Sequence, residues 1–195
     1  MSQHDTDTPD VVIEHLPVER LDELEPLWHA MLDHLVLKGN PVPIRPAAES
    51  WLLRRAVYEE ILQRPEAFAL VARRNGRPVG YAVVRIDDAD PVWYTGDPQA
   101  ELESLALLPD ERGRGLGTRL MDVVEAELEK LGVSDLTIGV DLVNDGALRF
   151  YERRGYRGGF LLMYGRPGGG EWTALKRERE RPYRSMWLPD GPPKE

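Results

Sequence analysis

Apolar residues return along this chain in two rhythms, and the switch between them marks its organisation. Val11-Val12-Ile13 is a β-branched run that predicts a short edge strand. Beyond it Leu21, Leu24, Leu27 or Trp28, Met31 and Leu35 recur every three or four positions with acids between, the spacing of one helix face. Pro26 either kinks that helix or begins its second half. Residues 38–46 are a loop by their prolines, after which Trp51, Leu52 or Leu53, Ala56, Val57 and Ile61 predict a second helix ending near Pro65. From Phe68 the period changes. Residues 67–74 and 78–86 flank Asn75-Gly76, a strong short-range hairpin signal.

The loop from Asp87 to Pro98 carries Trp93 and Tyr94, which either face a ligand or cap the core. Residues 101–108 predict a strand, and the amphipathic stretch from Met121 predicts a helix to Lys130 with Gly132 as its C-cap. Residues 136–142 read as a strand parallel to the one before that helix, because a crossover of this length is a right-handed strand–helix–strand unit. A short helix from Asn144 to Arg154 stops at Gly155. Phe160–Tyr164 and Ser185–Leu188 predict closing strands on either side of a Gly- and Arg-rich insertion, 165–184. No internal repeat is visible.

The length of 195 residues suits one domain, taken as 10–190, after a disordered tail over 1–9. No stretch approaches the roughly 18 consecutive apolar residues of a membrane span. The start, MSQHDTDTPD, has neither the basic nor the apolar region of a signal peptide. A cytoplasmic address is the expectation. The absence of cysteine removes disulfides, a thiolate nucleophile and thiolate metal sites. His4, His15, His29 and His34 show no pairing that implies a metal, and they read as surface or helix-face residues far from the motifs described next.

The net charge of −9 argues against general nucleic-acid binding. It would also suit attraction of a cationic amine, but residues 1–37 hold nine acids against one arginine, so the remainder is close to neutral. Arginine outnumbers lysine throughout, which is composition bias before phosphate recognition.

Between the predicted strand and helix lies Arg112-Gly113-Arg114-Gly115-Leu116-Gly117-Thr118. A glycine-rich turn of this kind can aim backbone N–H groups at a phosphate. It is not a dinucleotide fingerprint, because Thr118 stands where the third glycine would be, and it has no lysine for a Walker loop. What remains, R-x-x-G-x-G between strand and helix, resembles the acetyl-CoA pyrophosphate loop of the GNAT superfamily of N-acetyltransferases. Two further motifs carry the same resemblance in the same order: Leu105-Ala106-Leu107 on the preceding strand, and Asn144, Ala147 and Phe150-Tyr151-Glu152-Arg153-Arg154-Gly155-Tyr156 after the crossover. The order of the predicted elements matches the plan of that family over about residues 68–188.

The resemblance implies an α/β fold: a mixed central sheet with splayed parallel strands and helices on both faces. It further implies acetyl-CoA as co-substrate, transfer to a primary amine by direct attack, and cofactor contacts from Leu105, Ala106, Leu107, Arg112, Gly113, Arg114, Gly115, Leu116, Gly117, Thr118 and Asn144. The pantetheine arm would pair with the backbone of Leu105–Leu107 like an added strand. The pyrophosphate would sit on N–H groups from Gly113 to Thr118 at the positive end of the helix. Arg112 and Arg114 either add charge there or are solvated, and Asn144 either bonds the pantetheine or caps its helix.

In such a family the N–H of Leu107 steadies the oxyanion and Tyr151 protonates the leaving thiolate, although Tyr151 alone would read as core packing. Glu101 and Glu103 alternate onto one strand face. Glu103, and less so Glu101, is the candidate base acting through a water, against a solvated edge carboxylate or water alone. A pocket walled by Trp28, Trp51, Trp93 and Tyr94 would favour a small-molecule amine, and a shallow groove a protein α-amino group or lysine; a degenerate acyl-CoA-binding module is the non-enzymatic rival. The sequence leaves room for a homodimer.

Overall fold

A computed structural model of the chain describes residues 11–40, 42–92, 95–159 and 161–164. Five strands lie side by side in chain order: β1 (Val11–His15), β2 (Phe68–Arg74), β3 (Arg77–Asp87), β4 (Gln99–Leu107) and β5 (Leu136–Ile138). The first three junctions are antiparallel and the β4–β5 junction is parallel. Helices α1 (Glu25–Leu37) and α2 (Ala47–Ile61) cover one face, and α3 (Leu116–Lys130) and α4 (Asp145–Arg153) the other. The fold is thus the expected mixed α/β sheet with helices on both sides.

Local chemistry explains the elements. Asn75 and Gly76 take φ of 52° and 78° between β2 and β3, the paired positive values of a tight hairpin turn. Residues 68–72 of β2 are all buried because the strand is central and covered on both faces. In α3, Leu116, Leu120, Met121, Val124 and Leu128 share one buried stripe. Its end is closed by Gly132 N–H donating to Glu129 C=O and Val133 N–H to Leu128 C=O, with Leu128 and Val133 buried together. Pro26 stands in the first turn of α1, after a 3-10 helix over Val18–Leu24, so it begins the second half of the predicted helix and does not kink it.

One close approach sets the spacing of the layers. A β-carbon at Gly80 of β3 would stand 2.5 Å from Leu107 Cδ2 and 3.2 Å from both Ala106 O and Leu120 Cδ1. The bare Cα lets β3, the end of β4 and α3 close on one another.

Two expectations are corrected. The strand predicted over 136–142 ends at Ile138, because β4 and β5 part there. Residues 161–164 belong to no strand and their side chains are exposed; a lone extended segment has no ladder, and the partner predicted for it, 185–188, lies outside the described residues. The tail over 1–9, His4, Trp93, Tyr94, Phe160 and the insertion 165–184 also lie outside them.

Candidate active site

The site begins with one extra residue. Val83 pairs with Ser104 and Val84 with Leu102, so Glu103 has no counterpart on β3 and β4 bulges. Consecutive side chains at the bulge then turn to the same face: Glu103 pairs with Arg54 of α2, and Ser104 Oγ accepts the Tyr58 hydroxyl at 2.6 Å. On its other edge β4 pairs with β5 only from Ala100↔Leu136 to Leu102↔Ile138. From Glu103 to Leu107 that edge has no strand partner among the described residues. The parallel strands therefore splay directly beyond the bulge.

Backbone alternation tells which groups face the opening. Leu108 N–H donates to Val79 C=O at 3.0 Å, so the neighbouring N–H of Leu107 is turned to the free edge. Leu107 C=O is turned the same way, and it accepts from Arg112 Nε at 3.2 Å.

The glycine turn closes one end of this opening. Gly113 and Gly115 take φ of 72° and 83°, which side chains resist, and a β-carbon on either would meet nothing within 4 Å. Gly115 is the N-cap of α3 and no side chain caps the helix, so its first N–H groups, Leu116 to Thr118, have no side-chain acceptor. A β-carbon at Gly117 would stand 3.6 Å from Leu107 Cδ1 and 3.7 Å from Phe150 Cζ. The three motifs of the sequence therefore converge: β4 end, turn and α4 meet around Gly117.

The remaining predicted residues fall as follows. Leu105 and Leu107 pack partly buried on the α3 face, and Ala106 is buried under α1 and α2. Tyr151 is buried to 9% exposure, its ring edge-on to Phe150 and Tyr156 at 5.0 and 5.8 Å. Burial pushes its phenol up to about 12, against the nearby Arg154 charge. Asn144 is the N-cap of α4, its side-chain oxygen accepting from Ala147 N–H at 3.3 Å. Arg112 is half-buried and folds back onto the chain: it bonds Leu107 C=O and, at 3.4 Å, Ala30 C=O of α1. Arg114 is exposed. Trp28 and Trp51 do not wall a pocket; they are buried beside Tyr58 in the core, Trp28 Nε1 donating to Ser50 Oγ at 3.1 Å.

Both carboxylates are paired with arginines, Glu103 with 17% of its side chain exposed and Glu101 with 37%. Glu103 Oε1 pairs with Arg54, whose guanidinium lies 4.8 Å over Trp28, and Oε2 stands 3.5 Å from Arg85 Nε. Arg85 also pairs with Glu101. Beneath the bulge Tyr58, Tyr81 and Ser104 form a buried hydroxyl cluster, and burial raises both phenols.

Sequence reasoning missed two contributors. Arg54 was hidden because nothing local says which face of α2 meets Glu103. His34 was set aside as distant in sequence, yet it lies against Asn144 and near Arg112. A hollow of ≈ 650 Å³ between the C-terminal ends of α3 and α4, lined among others by Glu125, Leu128, Val133 and Tyr156, lies away from this opening.

The profile of the acetyltransferase (GNAT) family matches residues 28–156. The chain belongs to that family. An uncharacterized N-acetyltransferase of Mycobacterium tuberculosis is 37% identical over 106 residues, 54% of this chain and 62% of the relative. A mycothiol acetyltransferase of Propionibacterium freudenreichii is 28% identical over 155 residues, 78% of this chain and 45% of that enzyme. The chain thus spans less than two thirds of these curated relatives. Among solved structures, a GCN5-related N-acetyltransferase of Ralstonia eutropha superposes with a TM-score of 0.64 at 19% identity, covering 80% of this chain and 98% of that one. An aminoglycoside N-acetyltransferase in complex with CoA gives 0.62 at 18% identity, covering 84% and 98%. At these identities the likeness is one of GNAT fold.

Proposed function

We propose that this chain is an acetyl-CoA-dependent N-acetyltransferase that moves the acetyl group to a primary amine by direct attack, with 10–190 as its domain and the cytoplasm as its location. The free edge of β4 beside the uncapped start of α3 carries the reading. Backbone N–H groups that have no strand or side-chain partner among the described residues in two adjoining places suit a ligand that is amide-rich at one end and anionic at the other. Acetyl-CoA has that form, and it supplies an activated thioester. The open space over Gly113 and Gly115 fits a pyrophosphate, with α3 adding its positive end.

The chain's own groups then have distinct tasks. Leu105 and Leu107 offer backbone to the pantetheine amides, and the Leu107 N–H meets the carbonyl oxygen as it gains charge. Tyr151 remains a phenol at neutral pH, since burial raises it, and it hands its proton to the departing sulfur. Glu103, with an oxygen on each of two arginines, suits anchoring the bulge to α2 more than collecting a proton. The amine is read as a small molecule, as in the aminoglycoside acetyltransferases of the same fold. A ribosomal-protein-alanine N-acetyltransferase of Brucella melitensis, TM-score 0.56 at 23% identity, supports a protein α-amine as the second reading.

The test is calorimetry with acetyl-CoA and NAD, followed by CoA release over an amine panel. Acetyl-CoA should bind and NAD should not. Tyr151→Phe should keep acetyl-CoA affinity within a few-fold while turnover falls by about 10² to 10⁴. Tighter binding of NAD, or equal turnover in the Phe variant, would overturn the binding or the acid assignment respectively.

A further inference from the structure

Helix α1 crosses the mouth of the splay. At one end Arg112, from the turn after β4, reaches Ala30 C=O while holding Leu107 C=O. One helical turn on, His34 lies against Asn144, the N-cap of α4. At the end of the helix Asn40 bonds Asp141, in the segment after β5. The two sides of the opening, the end of β4 and the segment that follows β5, are thus joined by the Ala30–Asn40 side of α1. His34 stands between the attachments, on the side of the sheet that α1 and α2 cover.

From this placement we propose that His34 is the group that takes the proton from the acceptor amine, a catalytic residue contributed by α1 and not by β4. The inference rests on the acetyl-transfer reading and deepens it. His34 lies near Arg112, which holds Leu107 C=O at the end of the opening, whereas Glu103 is occupied by Arg54 and Arg85. The charged groups acting on the imidazole are Arg112 from the turn and Lys38 just past the end of its own helix, while Asp141 on the segment after β5 is held by Asn40. Burial first, then Arg112 and Lys38, lower its affinity for a proton, and Asn144 partly restores it. The ring is therefore neutral at pH 7 and free to accept.

The protons balance. The acceptor enters as an ammonium and gives one proton to His34, which passes it to water. Its nitrogen lone pair then forms the C–N bond as the C–S bond breaks with its electrons on sulfur. The second proton leaves the nitrogen, and it is matched by the one that Tyr151 delivers to the thiolate.

The experiment uses the full chain, acetyl-CoA and four amines: 1,4-diaminobutane, tryptamine, glucosamine and the tripeptide Ala-Gly-Gly. On the best of them the wild-type kcat/KM should be level from about pH 6.5 to the amine's own pKa, because the bound ammonium is deprotonated by the protein. In His34→Gln, which keeps a polar amide toward Asn144, kcat should fall by about 10²-fold and kcat/KM should rise tenfold per pH unit up to that pKa, since only free amine then reacts. A second readout needs no turnover: in histidine-ring NMR, acetyl-CoA should shift the His34 resonances and leave those of His29, paired with Glu25 on the same helix, in place. A Gln variant with the level profile and a kcat within two-fold of wild type overturns the role of His34 alone. His34 resonances unmoved by saturating acetyl-CoA overturn it too, and they decide the matter should the Gln variant not fold. A wild-type chain that binds acetyl-CoA but acetylates none of the four amines overturns the acetyl-transfer reading and this inference with it.

Discussion

Under α3 and α4 the sheet meets hydrocarbon: Leu102, Leu116, Leu120, Met121, Val124 and Leu128 fill the space. Under α1 and α2 the same sheet meets aromatics and leucines too, but the layer is pinned by Tyr58, Tyr81, Ser104, Arg54 and Glu103. The difference follows from what each face must fix. A hydrocarbon layer adapts to small shifts, because dispersion and water exclusion are nearly non-directional. A bulge has to stay at one residue, and hydrogen bonds with defined partners specify that position, provided every buried polar atom in the group is satisfied.

Leu120→Ala, on the hydrocarbon face and fully buried, should give the largest loss of stability, about 2–5 kcal/mol in urea unfolding. Its acetyl-CoA affinity should hold at temperatures where it is folded, and a loss below 1 kcal/mol would mean that the layer collapses around the gap. Tyr58→Phe should cost less, about 1–3 kcal/mol, because the ring stays while Tyr81 and Ser104 lose a partner. It should nevertheless disturb the bulge more, seen as larger amide shifts at Glu103–Leu107 than Leu120→Ala produces. Amide shifts confined to Tyr58 and its ring neighbours would contradict the specifying role.

The smallest effect is reached by pH. Glu111, buried before the glycine turn, accepts from Arg74 Nε and Nη2 at 2.9 Å, and that pair of bonds holds its carboxyl below the usual value of 4.5. A lowered folded pKa stabilises above the unfolded value, and the contribution disappears as pH falls below 4.5 through the folded one. Wild-type stability should therefore drop faster below pH 4.5 than that of Glu111→Gln. Parallel curves would show that the pair adds nothing.

The parts legible in the sequence are those whose cause is local. Asn75-Gly76 forces its turn, the α3 stripe and the Gly132 cap are periodic or capping signals, and the positive φ of Gly113 and Gly115 follows from glycine itself. The bulge was not legible, since nothing in Glu103-Ser104 differs from ordinary alternation, and the strand over 136–142 was accordingly drawn too long. His34, Arg54 and the inward Arg112 act across 49 to 110 positions, through the docking of α1 and α2 on β4, and docking of one element on another leaves no mark in either segment alone. The helical spacing of Trp28 and Trp51 placed them on buried faces, and only the docking shows that they are buried against the sheet and not a ligand.

Gly80 carries a consequence for how the chain can drift. Any side chain there would displace Leu107 or Leu120. A lineage could place alanine at 80 only after position 107 had become smaller, and a smaller 107 without a larger 80 would leave a void beside the N–H that faces the opening. The two positions, 27 apart in sequence, are bound to change as a pair, and in related chains they should covary more tightly than either does with the glycine turn.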